Sequence, residues 1–187
     1  GMTSHHIISP IEEFKNKLDQ LKPEFEEKLN EIEKKSQKIK EQDKMIKDLI
    51  QEQGSVIVSI EVGGKVYQTK LKTILSKRDS LFYKLISNDL SAGVPVTKSF
   101  SFDRSGEYFS LILDYFRTGV LNYELMNKKQ IQELKAEVEY YGVWGANSIL
   151  DSFISKVLIE SFTSSKRYST AGVHSLEGIT DKDGKGG

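Results

Sequence analysis

From Val56 to Thr69 the chain reads as two short runs broken by a pair of glycines. Val56, Val58, Ile60 and Val62 take every second position, with Ile57, Ser59 and Glu61 between them; Gly63 and Gly64 follow, then Val66, Tyr67 and Thr69. Side chains on a strand alternate between its two faces, so this spacing describes a strand buried on at least one face. Adjacent glycines accept the positive φ angles of a tight hairpin turn, which makes the second run the returning strand. A phosphate-cradling loop would instead need further glycines opening a helix. Here the sequence goes straight back to strand, and the hairpin reading wins.

The preceding segment is of another kind. From Pro10 to Gln53 there is no glycine, and Lys, Glu and Gln dominate. With Ile11 at heptad position a, Leu18, Phe25, Ile32, Ile39 and Ile46 also fall at a. The d positions hold Phe14 and Leu21, turn polar at Lys28, Lys35 and Gln42, and recover at Leu49. This is a half-strength coiled-coil seam, carried chiefly by Phe25, Ile32, Ile39, Ile46 and Leu49. Pro23 removes a backbone donor and crowds the preceding turn, so the expectation is a helix near 24–51 preceded by a shorter helical piece. Two readings are open: a single solvated helix, or one that associates because the next domain holds several copies together.

After Gly54 come the hairpin strands, short helices over Leu71–Leu75 and Ser80–Ile86 with Asp79 or Ser80 as N-cap, and a loop over 88–99. A third strand is expected at Ser99–Asp103 and a helix at Glu107–Phe116, closed by Gly119. Asn127 caps the next helix, whose inward stripe is Ile131, Leu134 and Val138. From Ala146 to Phe162 a wide apolar face (Ile149, Leu150, Phe153, Ile154, Val157, Leu158, Phe162) requires a covering surface. The resulting division is a disordered 1–9, a helical 10–53, a globular 54–145, an amphipathic helix at 146–163 and a Ser-, Gly- and Lys-rich disordered tail at 164–187. Gly1 ahead of Met2 reads as a cloning remnant.

Candidate chemistry is sparse. Lys plus Arg and Asp plus Glu balance at 27 each, so no net field favours nucleic acid or an anionic membrane. Cysteine is absent, which removes disulfides, thiolate metal sites and thiol nucleophiles. His5, His6 and His174 are the only histidines and lie in the terminal segments; they support neither a zinc site nor a serine nucleophile. No apolar run reaches the roughly 20 residues of a membrane span, and no signal-peptide core is present. The expectation is a soluble, cytoplasmic protein with no cofactor, no metal and no catalytic activity. Asp103, Arg104 and Arg117 stand out as charges in an apolar region. They either form an internal ion pair fixing the third strand to the next helix or lie at a boundary between copies.

In order and spacing, the block ending in Val62, Gly63 and Gly64 with Tyr67 and Thr69, then Asp79 to Phe82, then Phe102, Asp103 and Arg104 with Phe109, Ile112 and Leu113, then Arg117 to Gly119, resembles the BTB/POZ domain of the potassium-channel tetramerisation type. The resemblance covers residues 56–145. It implies an α/β (α+β) fold with a short three-stranded sheet and surrounding helices, here preceded by a coiled-coil-like helix. It also implies a protein that works by homo-oligomerisation, as a ring of four or five copies with a largely polar interface. Thr73, Asp79, Ser80, Asp103, Arg104 and Arg117 match positions where the family uses polar groups in packing or ring contacts. A soluble scaffold is one implied function; a substrate adaptor of a cullin-based ubiquitin ligase is the other. For the adaptor, family analogy places the docking surface at Phe82, Leu85, Ile86, Ser87 and Asn88. The zinc-binding variant of the domain is excluded by the lack of cysteine.

Overall fold

Strands β1 (Ile57–Val62) and β2 (Lys65–Lys70) pair antiparallel through a turn in which Gly63 and Gly64 take φ of 57° and 84°. Two consecutive positive φ values are what a two-residue turn of the right twist demands. The glycines differ in a second respect. A Cβ on Gly63 would sit 2.5 Å from the main-chain oxygen of Arg104, whereas one on Gly64 meets nothing. The structure is a computed structural model; it describes residue 7 and residues 9–183, with side chains as far as residue 167. The expected disordered segment at 1–9, with His5 and His6, falls almost entirely outside the described residues, as do the side chain of His174 and residues 184–187.

Strand β3 (Ser99–Phe102) joins β1 in parallel, giving the order β2-β1-β3. Between β2 and β3 run α2 (Leu71–Ile74) and α3 (Leu81–Ala92), the latter longer than expected and closed by Gly93 in the left-handed region. Helices α4 (Phe109–Thr118) and α5 (Lys128–Tyr140) follow. The strand pattern sorts as its period demands: Val58, Ile60 and Val62 are fully buried, each contributing about 1.5–3 kcal/mol by burial. Phe82 sits at the centre of the core. Its ring stacks on Tyr141 at 6.0 Å and meets Phe100, Phe102, Phe109 and Phe116 edge-on. The capping signals are realised. Ser80 Oγ accepts from the Tyr83 amide at 3.2 Å, and Asn127 forms a reciprocal capping box with Gln130.

Three expectations are corrected. Helix α1 (Pro10–Gln53) is continuous through Pro23 and does not restart there. Pro23 lies on the side of the helix away from the apolar stripe, so the carbonyl deprived of its partner faces water. Ile46 and Leu49 are 3% and 5% exposed within the globular core, so they belong to the domain and not to a free seam. The boundary at 53/54 therefore cuts through the core. Helix α6 (Trp144–Asp183) continues past Ser164, where a disordered tail was expected; no proline interrupts it. Its start also belongs to the core, since Ala146 and Leu150 are buried, while Leu158 and Phe162 are exposed. Lys135 of α5, held by Glu139 at 2.8 Å and Asp151 at 3.0 Å, ties α5 to α6.

Candidate functional site

Where α1 crosses α3, an open cleft of about 550 Å³ is bounded by Ile39, Gln42 and Asp43 on one side and Tyr83, Ser87 and Asn88 on the other. The Tyr83 hydroxyl donates to Asp43 at 2.6 Å, and the Arg78 guanidinium pairs with the other oxygen of the same carboxylate. Burial, reinforced by the bond to Asp43, pushes the Tyr83 phenol up to about 12. The five docking candidates divide by helical period. Phe82 and Ile86 are 1% and 0% exposed and are core side chains, out of reach of a partner. Ser87 is buried toward the cleft, its Oγ without a hydrogen-bond partner among the described residues. Leu85 and Asn88 alone of the five face solvent, alongside Lys84.

The polar candidates are used unequally. Ser80 is fully buried as the α3 cap. Arg104 grips Glu137 of α5 with both arms, Nε at 2.9 Å and Nη2 at 2.7 Å, and lies 3.9 Å over the Tyr140 ring. That hydrogen-bonded carboxylate holds the guanidinium further above its ordinary pKa. The ion pair expected for Arg104 is thus real in kind, but its partner is Glu137, 33 residues on, and not Asp103. Arg117 donates to the Gln68 carbonyl at 2.9 Å and to Asp114 at 3.3 Å, fastening α4 to strand β2. Thr73 is half-buried, with its carbonyl accepting from Ser76 at 2.7 Å. Asp79 and Asp103 are exposed and make no ion pair among the described residues.

The outer face of the sheet is uncovered. By register it presents Lys70, Gln68 and Val66 from β2, Ile57, Ser59 and Glu61 from β1, and Ser99 and Ser101 from β3. A mixed sheet with one solvated face reads as alternating apolar and polar residues, as seen here. It is a largely polar surface, and it gathers no nucleophile and base. No group of three or more metal-ligating side chains is gathered among the described residues, and no described helix is long and apolar enough to cross a membrane. Sequence reasoning missed Asp43, Tyr83 and Glu137, because each acquires its role from a residue far along the chain.

A sequence model of the BTB/POZ domain family matches residues 58–150, ending inside α6 at the buried Leu150. The human BTB/POZ domain-containing adapter for CUL3-mediated RhoA degradation protein 2 is 28% identical over 99 residues, 53% of this chain and 31% of its own length. The Danio rerio protein 1 of the same description is 30% identical over 91 residues, 49% of this chain and 27% of that one. Human BTB/POZ domain-containing protein KCTD3 is 32% identical over 87 residues, 46% of this chain and 10% of its own. The chain thus spans less than a third of the length of these curated relatives. Sheet order, helix placement and sequence match converge: this chain carries a BTB/POZ domain of the potassium-channel tetramerisation type.

Proposed function

We propose that this chain is a homo-oligomerisation and protein-interaction module. Its BTB/POZ domain assembles into a ring of four or five copies and presents α1 and α6 as recruiting surfaces, acting by contact and not by catalysis. One observation carries the reading. The internal network consumes Ser80, Arg104 and Arg117, yet leaves uncovered the polar sheet face and, outside it, Asp79 and Asp103, and polar surface of this kind fits copies that meet in fixed register. The balanced charge supports protein, and not nucleic acid or membrane, as the partner. Light scattering on the full chain tests it: the expected mass corresponds to at least four copies, and a monomer across the micromolar range would overturn it.

A second reading has its own support. Two of the similar proteins are described as adapters for CUL3-mediated degradation, and Leu85 and Asn88 stand exposed beside the α1–α3 cleft. In that reading the exposed face of α3 docks a cullin scaffold. Titration with a cullin N-terminal fragment is expected to show binding that Leu85→Asp removes; no binding by the unmodified chain would refute it.

A further inference from the structure

From Ile11 to Ile39 helix α1 carries eight apolar side chains, each 45% exposed or more: Ile11, Phe14, Leu18, Leu21, Phe25, Leu29, Ile32 and Ile39. On the folded helix the stripe leaves the strict heptad at Phe25. It proceeds to Leu29 and Ser36 in place of Lys28 and Lys35, with two four-residue steps in succession. At about 100° per residue these positions stay within an arc of about 80°, with the lysines at its border and Pro23 on the far side. The spacing is symmetric about Phe25: four, three, four and three residues in either direction.

We propose that α1 pairs antiparallel with α1 of a second copy of this chain, about a two-fold axis at Phe25. The layers are then Phe25 on Phe25, Leu21 on Leu29, Leu18 on Ile32, Phe14 on Ser36 and Ile11 on Ile39. Charge decides the direction. Antiparallel pairing sets Lys15 against Glu33, Lys22 against Glu26 and Glu24 against Lys28 of the second copy; its like-charge contacts are Lys17 with Lys35 and, beside the axis, Glu24 and Glu26 each with its own counterpart. Parallel pairing in register sets Lys17 against Lys22 and Lys35 against Lys40, leaving Lys28 against Glu33 as its one favourable flank. Glu24 and Lys28 already face each other along one helix at 3.6 Å, so two copies close a four-charge box around Phe25.

The free length of the helix fits as well. It begins at Pro10, capped by Ser9, fifteen residues before Phe25. On the other side the globular domain takes hold at Asp43 and Ile46, just beyond residue 40. Overlap therefore ends where the domain begins, and two domains sit at opposite ends of the paired helices. The pairing does not depend on the ring: it joins two single domains or two rings alike.

The chain has no cysteine, so single cysteines report cleanly. Full-length Leu18→Cys and Ile32→Cys variants are made separately and also co-expressed, oxidised and run on denaturing gels, with Phe25→Cys alongside. The expected result is a disulfide-linked dimer from the co-expressed pair and from Phe25→Cys alone, with none from Leu18→Cys or Ile32→Cys alone. Each chain carries one cysteine, so any disulfide is between copies; positions 18 and 32 lie about 21 Å apart along one helix, so they link only when the helices run antiparallel. Self-linking of Leu18→Cys would establish parallel pairing and overturn the proposal. Absence of the mixed disulfide overturns it too, whatever else forms.

Discussion

Tyr83 on α3 donates its hydroxyl to Asp43 on α1 at 2.6 Å, across 40 residues of sequence. This bond, with Arg78 on the same carboxylate and Ile46 and Leu49 buried below it, makes the end of α1 part of the domain. Tyr83→Phe is expected to cost about 1 kcal/mol at neutral pH, since Asp43 keeps Arg78 and partial access to water. Urea unfolding at pH 7 measures it; a cost below a few tenths would show that the bond fixes nothing.

The same tyrosine sets a pH dependence. Its folded-state pKa is raised from 10 to about 12, so the native state keeps a proton that the unfolded chain releases. The stabilisation is present below pH 10 and is lost as pH rises from 10 through 12. Tyr108, hydrogen-bonded to Glu133, is also raised to about 12 and adds to the decline. Unfolding midpoints between pH 9 and 12 are expected to fall more gently in Tyr83→Phe than in the unmodified protein.

Ile46→Ala and Ile32→Ala separate the two parts of α1. Ile46 is 3% exposed, and its truncation is expected to cost about 2–4 kcal/mol of domain stability. Ile32 is 62% exposed, and its truncation is expected to leave the domain's urea midpoint unchanged. Equal effects would contradict the division of the helix.

Arg104→Ala removes two charge-assisted bonds and a ring contact, and about 2 kcal/mol of stability is the expected loss in chemical denaturation. Arg104→Lys is expected to recover less than half, because an ammonium neither forks onto Glu137 nor stacks flat on Tyr140. Full recovery by lysine would reduce the interaction to simple charge.

In the hairpin, Gly63→Ala is expected to be the worse substitution. Both glycines have positive φ, which costs an alanine about 1–2 kcal/mol. Only at Gly63 does the added carbon also press on the Arg104 carbonyl. Thermal melts that rank Gly64→Ala lower would contradict this.

Local signals were legible in the residues because local physics enforces them. The alternation at Val58, Ile60 and Val62, the glycine turn, and the caps at Ser80 and Asn127 each need only a few neighbours to be read. Pro23 misled because a proline's cost depends on which way the freed carbonyl faces. Ile46 and Leu49 misled because they continue the strict heptad register begun at Ile11, and only the folded chain shows the end of α1 packed on α2 and α3. Glu137 stayed hidden as the partner of Arg104 because no short-range pattern joins a strand end to a helix one element further on. Among the docking candidates, helical period could have set Phe82 and Ile86 apart from Leu85 and Asn88.

The most direct test of the account is native mass spectrometry of residues 42–163, a fragment that keeps Ile46, Leu49 and Leu150 in the core and omits the exposed stripe of α1. The account predicts a closed assembly of four or five copies, held by the BTB/POZ domain alone. A single copy at micromolar concentration would contradict it.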